Sequence, residues 1–341
     1  MKAFRVFMCD AGEFGTAMAI VAASAGNDVT LLIQPYDQGQ EDLIYNLRNG
    51  TQQTNYLHLP GVMLPRMEFT DNFEAAKSAD VICLAVPTKY IGQAFLKIKE
   101  CLEINPKAIL VLLSKGFDSF GDVPWGVMLY NNSEFFGYKN FAVMSGPTFA
   151  REIVKPYQAH FISCASKNIG VIKKLKALFK NSDLHLVGTT DLIGVSLGGC
   201  LKNACAPGYG LLEKLASPEA AFEYIWLALD EMKTFLNSAG ANPKTLHSPA
   251  VERDFYVTCR GESRNKKFGH ELAKYLSRDA IEAYTKSNTI EGYESIKTLW
   301  RIAQKNSLDT PFLHSIHAIC EYGASPDTFV DCFNRVKALS G

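Results

Sequence analysis

Phe4-Arg5-Val6-Phe7-Met8-Cys9-Asp10-Ala11-Gly12-Glu13-Phe14-Gly15 begins as an apolar run and ends as a glycine-spaced turn. Phe4 to Cys9 has the length of one buried strand. Beyond the turn, Phe14, Ala17, Met18, Val21, Ala22 and Ala25 recur at helical spacing until Gly26, which is placed to end the helix. Strand, tight turn and helix in this order match the G-x-G-x-x-G dinucleotide fingerprint, with Asp10 in place of the first glycine, Gly12 as the second and Gly15 as the third. Glycines there let the backbone approach a pyrophosphate, which the amides and dipole of the helix N-terminus attract. Aspartate tolerates unusual backbone angles better than most residues, but a carboxylate repels phosphate. Taken alone, so degenerate a match is weak, and an ordinary strand-to-helix turn is an equal reading.

Composition excludes several classes. The 341 residues are 47% apolar, enough for a large core, and the length favours two domains. Lys plus Arg (35) balances Asp plus Glu (35), so no basic excess points to nucleic acid or an anionic membrane. The longest apolar run, Ala108 to Leu113, is strand-sized rather than membrane-spanning, and the N-terminus lacks a secretory pattern. Nine cysteines without a C-x-x-C pair suit reduced, buried thiols. A cytoplasmic protein without a bound metal is expected.

The first half alternates strands and helices. Val29 to Ile33, Asp80 to Pro87 and Ala108 to Leu113 read as buried strands, and Phe141 to Met144 and Phe161 to Cys164 as shorter ones; Tyr90 to Leu102 reads as a helix. Near-continuous apolar strands joined by crossovers imply a parallel sheet covered on both faces. After about Gly188 the texture turns helical, with Ala220 to Leu236, His270 to Leu276 and Glu294 to Lys305 as helices. The expected fold is α/β, a Rossmann-like doubly wound sheet followed by an all-α C-terminal domain. The boundary falls near Gly188 to Asp191, giving a dinucleotide-binding domain at 1–189 and a helical substrate and catalytic domain at 190–341.

Four segments carry chemistry. Leu113-Ser114-Lys115-Gly116 lies at the carboxyl end of the fourth apolar run, the sheet edge where ligands bind; Lys115 could reach a phosphate or be a solvated charge. In Ser145-Gly146-Pro147-Thr148-Phe149-Ala150-Arg151-Glu152, Gly-Pro forces a turn, Thr148 can cap a helix and small Ala150 allows close approach; a structural turn is the simpler reading. Ile193 to Asn203 holds Lys202 in an apolar stretch, where burial without a partner is unfavourable; a functional lysine outweighs one that snorkels to solvent. Asp254 to Gly269 combines an acid, a hydroxyl and Ser263-Arg264-Asn265, and Arg with Asn suits a phosphate or polyol, against a charged surface turn as the alternative.

In their order these segments resemble the NAD(P)-dependent sn-glycerol-3-phosphate dehydrogenase family. The likeness covers nearly the whole chain and adds Asn55-Tyr56-Leu57, Leu59-Pro60-Gly61, Leu197 to Asn203, Thr258-Cys259, Phe268-Gly269 and Ile290-Glu291-Gly292. It implies interconversion of glycerol 3-phosphate and dihydroxyacetone phosphate by hydride transfer at C2, in a homodimer, with a small phosphorylated polyol as partner. It further implies Lys202 as proton donor and acceptor, with Lys115 and Asp254 as catalytic companions. Substrate contacts are implied for Lys115, Gly146, Thr148, Asn203, Thr258, Ser263, Arg264 and Asn265. Cofactor contacts are implied for Asp10, Gly12, Glu13, Phe14, Gly15, Asp37, Pro87, Lys115, Ala150, Arg264 and Glu291.

Departures from the family pattern sharpen the expectations. Asp10 and Glu13 put two acids beside the expected pyrophosphate, which weakens dianion binding unless they point away or pair with a cation. Ser196 stands where the family usually has glutamate, and Val251-Glu252-Arg253 where it is glycine-rich; Ile225 to Met232 lacks a family arginine, and Pro207 is expected to interrupt the helix after Lys202. After the second strand Asp37 is the ribose candidate, and no arginine beside it awaits a 2′-phosphate, which favours NAD over NADP. Two alternatives stay open: a dehydrogenase of another phosphorylated or carboxylated polyol, and a weakly active nucleotide-binding relative.

Overall fold

Parallel pairing of β1 (Arg5–Cys9) with β2 (Asp28–Leu32) on one side and β4 (Val81–Leu84) on the other sets the frame of the N-terminal sheet. The computed structural model describes residues 2–33, 59, 62, 64–118, 122–131, 139–288 and 290–340; Asp37, the 55–57 segment and Pro60-Gly61 lie outside them. The chain divides into two compact units, Met1–Ser114 with Gly126–Leu192 and Lys115–Trp125 with Ile193–Gly341.

The first unit is an eight-stranded sheet in the order β3-β2-β1-β4-β5-β6-β7-β8, completed by β3 (Glu68–Thr70), β5 (Ile109–Leu112), β6 (Phe141–Ser145), β7 (His160–Ala165) and β8 (Leu184–Thr189). Its helices are α1 (Glu13–Ser24), α2 (Ile91–Ile104), α3 (Trp125–Asn131, whose first residue falls in the second unit), α4 (Ala150–Ile153) and α5 (Ile169–Leu178). Alternate strand residues such as Met8, Cys83 and Val111 share one core with Met18 and Ala22 of α1 and Leu175 of α5. Phe7 points to the other side, where its ring meets Phe73 at 6.3 Å. Every strand of the central run is buried on both faces, as its continuous apolar sequence requires.

The sheet departs from the expected all-parallel pattern at one place. β6 and β7 pair antiparallel, with Met144 opposite Cys164. The connection between them, 146–159, contains only the four-residue α4, which packs against α1 instead of crossing the sheet. A parallel return has to cross a face of the sheet, usually on a helix; this connection has no helix long enough to do so, and the chain doubles back. The strand that precedes Lys115 is β5 rather than the fourth, because the short β3 intervenes.

The second unit is helical among its described residues 193–340: α6 (Leu192–Leu215), α7 (Pro218–Ser238), α8 (Asp254–Arg260), α9 (Arg264–Leu272), α10 (Arg278–Ser287), α11 (Glu291–Lys305), α12 (Pro311–Tyr322) and α13 (Asp327–Ser340). Ser217, Ser263 and Ser277 cap α7, α9 and α10 by accepting a backbone N–H, which explains where these helices start. The centre of the unit is Tyr224, whose ring meets Phe312 and Phe329 edge-on at 5.0 and 5.6 Å and whose hydroxyl donates to the Cys205 carbonyl at 3.0 Å. Nearby, buried Glu231 accepts the Phe312 and Leu313 amides at 2.8 and 2.9 Å, satisfying the start of α12. Burial outweighs these two bonds and raises its carboxyl to about 7.

Pro207 does not end the helix. α6 runs on to Leu215 with the proline inside it. A proline at 207 cannot bond the carbonyl of Asn203, four residues back, and it is against that carbonyl that the start of α11 is pressed. A side chain at Gly292 would collide with it. Tertiary packing thus occupies the gap that the missing N–H leaves.

Candidate active site

In the first unit the fingerprint turn follows β1 directly. Asp10 has φ +89°, the backbone sign that a glycine adopts freely and that aspartate accepts at modest strain. Its side chain is buried, with Oδ2 3.6 Å from where a Cβ on Gly12 would lie. Gly12 is extended and caps α1, and Thr16 Oγ1 donates to the Ala11 carbonyl at 3.0 Å, tying the turn to the first helical turn. A Cβ on Gly15 would collide with the Asp10 carbonyl, so only glycine lets α1 start this close to β1. The turn is therefore a cradle that side chains would fill, and the first-turn amides at Glu13 and Phe14 have no carbonyl four residues back within the helix. These features fit a dinucleotide pyrophosphate. Glu13, the first residue of α1, pairs with Arg151, the second of α4, at 3.4 Å. One of the two acids expected to oppose the phosphate thus carries a cation beside it.

The rest of the first unit's candidates surround the same sheet. Ser114 Oγ donates to the Val86 carbonyl at 2.5 Å, tying the end of β5 to the segment that carries exposed Pro87. Gly146 lies against Ile162 so closely that a Cβ would sit 2.9 Å from its Cα, a packing reason for glycine there. Thr148 does not cap a helix as expected: α4 begins after Phe149, and the Thr148 hydroxyl faces the Gly146 carbonyl at 3.4 Å. Ala150, the first residue of α4, is buried.

In the second unit two lysines converge on one carboxylate. Lys202 Nζ donates to Asp254 Oδ1 at 2.9 Å, and Lys115 Nζ donates to Asp254 Oδ2 at 2.7 Å. Lys202 Nζ also donates to Thr258 Oγ1 at 2.9 Å, while that hydroxyl donates to the Asp254 carbonyl at 2.6 Å. Two of the three Lys202 ammonium protons are thus engaged, which leaves one for a further oxygen. The Asp254 side chain is 3% exposed and that of Lys202 12%. Burial lowers the Lys202 pKa from the ordinary lysine value; the Asp254 carboxylate opposes the shift and the Lys115 charge adds to it.

Local sequence builds this arrangement. Asp254 opens α8 immediately after a wide π-helical turn, Pro249–Arg253, which Ser248 caps through the Ala250 amide at 3.2 Å. Gly198, one turn before Lys202 on α6, lies against that turn, and a Cβ there would stand 3.0 Å from the Ala250 carbonyl. The small residue brings the lysine helix and the acid together. Thr258 follows Asp254 by four residues and so shares its helix face.

A second polar chain starts one residue further along α6. Asn203 Nδ2 donates to Glu291 Oε2 at 2.9 Å, Asn265 Nδ2 donates to Asn203 Oδ1 at 2.9 Å, and Asn265 Oδ1 accepts the Gly292 amide at 3.0 Å. Ser263 accepts the Lys266 amide at 3.1 Å as the cap of α9, while Arg264 is exposed on its first turn. Two features are not evident in the sequence: Arg151 lies in the Ser145–Glu152 segment with nothing to pair it with Glu13, and the π-helical turn leaves no residue signature beyond Pro249.

Comparison with known proteins agrees with both units. Residues 5–170 match the model of the NAD-dependent glycerol-3-phosphate dehydrogenase N-terminus and residues 191–331 that of its C-terminus. The glycerol-3-phosphate dehydrogenase [NAD(P)+] of Streptomyces coelicolor is 30% identical over 92% of this chain and 91% of its own. That of Bacillus subtilis is 29% identical over 96% and 93%. A glycerol-3-phosphate dehydrogenase structure from Coxiella burnetii shares the fold, with a TM-score of 0.82 at 24% identity over 96% of this chain and 98% of that one. The chain belongs to the NAD-dependent glycerol-3-phosphate dehydrogenase family.

Proposed function

We propose that this protein interconverts sn-glycerol 3-phosphate and dihydroxyacetone phosphate with a nicotinamide dinucleotide. Family membership supports the reaction, and the observation that carries it is the Lys202–Asp254–Lys115–Thr258 cluster. When bound, the nicotinamide supplies or accepts the hydride at substrate C2. In oxidation, neutral Lys202 takes the C2 hydroxyl proton; in reduction its ammonium polarises the ketone and returns that proton. A lowered lysine pKa suits both directions, because the neutral form becomes reachable nearer pH 7. Asp254 holds the two ammonium groups, one on each oxygen, and orients Lys202, and Thr258 gives the lysine a second anchor.

Lys115, Gly146, Thr148, Asn203, Thr258, Ser263, Arg264 and Asn265 form the substrate set, with Arg264 and Asn265 on phosphate and polyol oxygens. The turn Asp10 to Gly15, Pro87, Lys115, Ala150, Arg264 and Glu291 hold the cofactor, with Asp37 as the ribose ligand and NAD preferred over NADP. Residues 1–189 serve as the dinucleotide domain and 190–341 as the substrate and catalytic domain, in a cytoplasmic homodimer. The test is NADH and NADPH absorbance with dihydroxyacetone phosphate for the wild type and Lys202→Met. Turnover by the wild type and a loss of about a thousandfold in kcat in the variant, with NADH binding intact, is the expected outcome. No turnover by concentrated wild type with either cofactor sinks the proposal.

A further inference from the structure

The acid at the start of α1 has a cationic partner on a second helix. Glu13 occupies the first helical position, where the helix dipole favours an anion. That is also where the pyrophosphate is held in the cofactor reading given above, on which this inference rests. Arg151 approaches it from α4, with Nε 3.4 Å from Glu13 Oε1. Among the described residues the guanidinium has no other ion pair and no hydrogen bond, so its terminal nitrogens keep their donors available. Both side chains are well exposed, 63% and 47%, so the pair contributes little to folding. A guanidinium is a rigid fork that binds two oxyanions along different edges, which a lone ammonium cannot do with fixed geometry.

We propose that Arg151 is a cofactor-binding residue: it stays on Glu13 through Nε and offers its terminal nitrogens to the dinucleotide pyrophosphate. The pair then acts as one recognition unit, in which Glu13 orients the guanidinium and Arg151 cancels the charge that would repel the phosphates. An acid in the turn becomes compatible with a dianionic ligand because its cation comes from a separate helix that α1 packs against.

The experiment is calorimetric titration with ADP-ribose, which has the pyrophosphate but no nicotinamide, and with AMP as a control. Arg151→Met is expected to weaken ADP-ribose binding by about tenfold and AMP binding less than about twofold, with KM for dihydroxyacetone phosphate unchanged. Arg151→Lys, which keeps the charge without the fork, falls between. Glu13→Gln improves ADP-ribose affinity more in the Arg151→Met background than in the wild type, because only there is the carboxylate uncompensated. Equal ADP-ribose affinity for wild type and Arg151→Met overturns the proposal while leaving the dehydrogenase reading intact. A wild type that binds neither ADP-ribose nor NADH overturns both.

Discussion

Replacing Glu231 with glutamine should remove its pH-dependent contribution to stability and so reverse, between pH 5 and 8, which of the two proteins is the more stable. The buried carboxyl titrates near 7 in the folded protein against an ordinary value of 4.5, because burial disfavours its charge more than the Phe312 and Leu313 amides favour it. A folded pKa above the unfolded one means that the native state holds the proton more tightly. Its contribution is therefore complete below about pH 4.5 and is lost as pH rises through about 7. The gap of 2.5 between those two values corresponds to about 3 kcal/mol at 1.36 kcal/mol per unit, of which roughly 2 to 3 falls between pH 5 and 8. Glutamine keeps the shape but presents one carbonyl to two backbone donors, a loss of about 1 kcal/mol at any pH. Glu231→Gln should therefore be the less stable protein at pH 5 and the more stable one at pH 8. Urea unfolding followed by tryptophan fluorescence reads this unit selectively, since Trp125, Trp226 and Trp300 all belong to it. A wild-type minus variant difference that stays constant from pH 5 to 8 would refute the reasoning.

Two substitutions probe the site itself. Asp254→Asn removes the group that holds Lys202 and Lys115, and should lower kcat by about a hundredfold or more. It should also move the Lys202 ionisation further below the ordinary lysine range, visible as an acid shift in the pH profile of glycerol 3-phosphate oxidation; an unmoved profile would assign that ionisation elsewhere. Asp10→Gly frees a residue at φ +89° and removes a carboxylate from the turn, so NADH binding should tighten severalfold by fluorescence titration. An unchanged dissociation constant would mean that the Asp10 carboxylate is directed away from the phosphates.

Central strands and long helices were legible because burial on both faces leaves unbroken apolar runs, as in Val81–Leu84 and Ile109–Leu112. The edges were not. β8 alternates buried Leu184 and Leu186 with exposed His185 and Val187, and β3 is three residues long, so neither gives a continuous signal. β7 was legible as the apolar run Phe161 to Cys164, but its antiparallel direction was not, because direction is set by what fills a connection and α4 is too short to leave a helical period. Pro207 misled for the opposite reason: a local rule about hydrogen bonding was overridden by what packs against the freed carbonyl. At the site, Lys202 stood out as a charge in apolar surroundings, whereas its carboxylate lies 52 positions further along the chain, at Asp254. Only the family resemblance joined them. The Glu13–Arg151 contact had no such guide, since ion pairs between distant exposed residues leave no trace in spacing.

The division of the chain bears on its synthesis. Lys115–Trp125 belongs to the second unit although the chain then returns to the first for Gly126–Leu192. On the ribosome, Lys115 and Asp122 emerge long before Asp254 and Arg301, the residues that receive them. The early segment is made before these two partners exist, while the sheet that flanks it in sequence is completed. A fragment starting at 193 would be a continuous run of helices and still lack one of the two ammonium groups on Asp254. Swapping the C-terminal half between relatives would likewise exchange only part of the machinery, so a working chimera has to take 115–125 along with it.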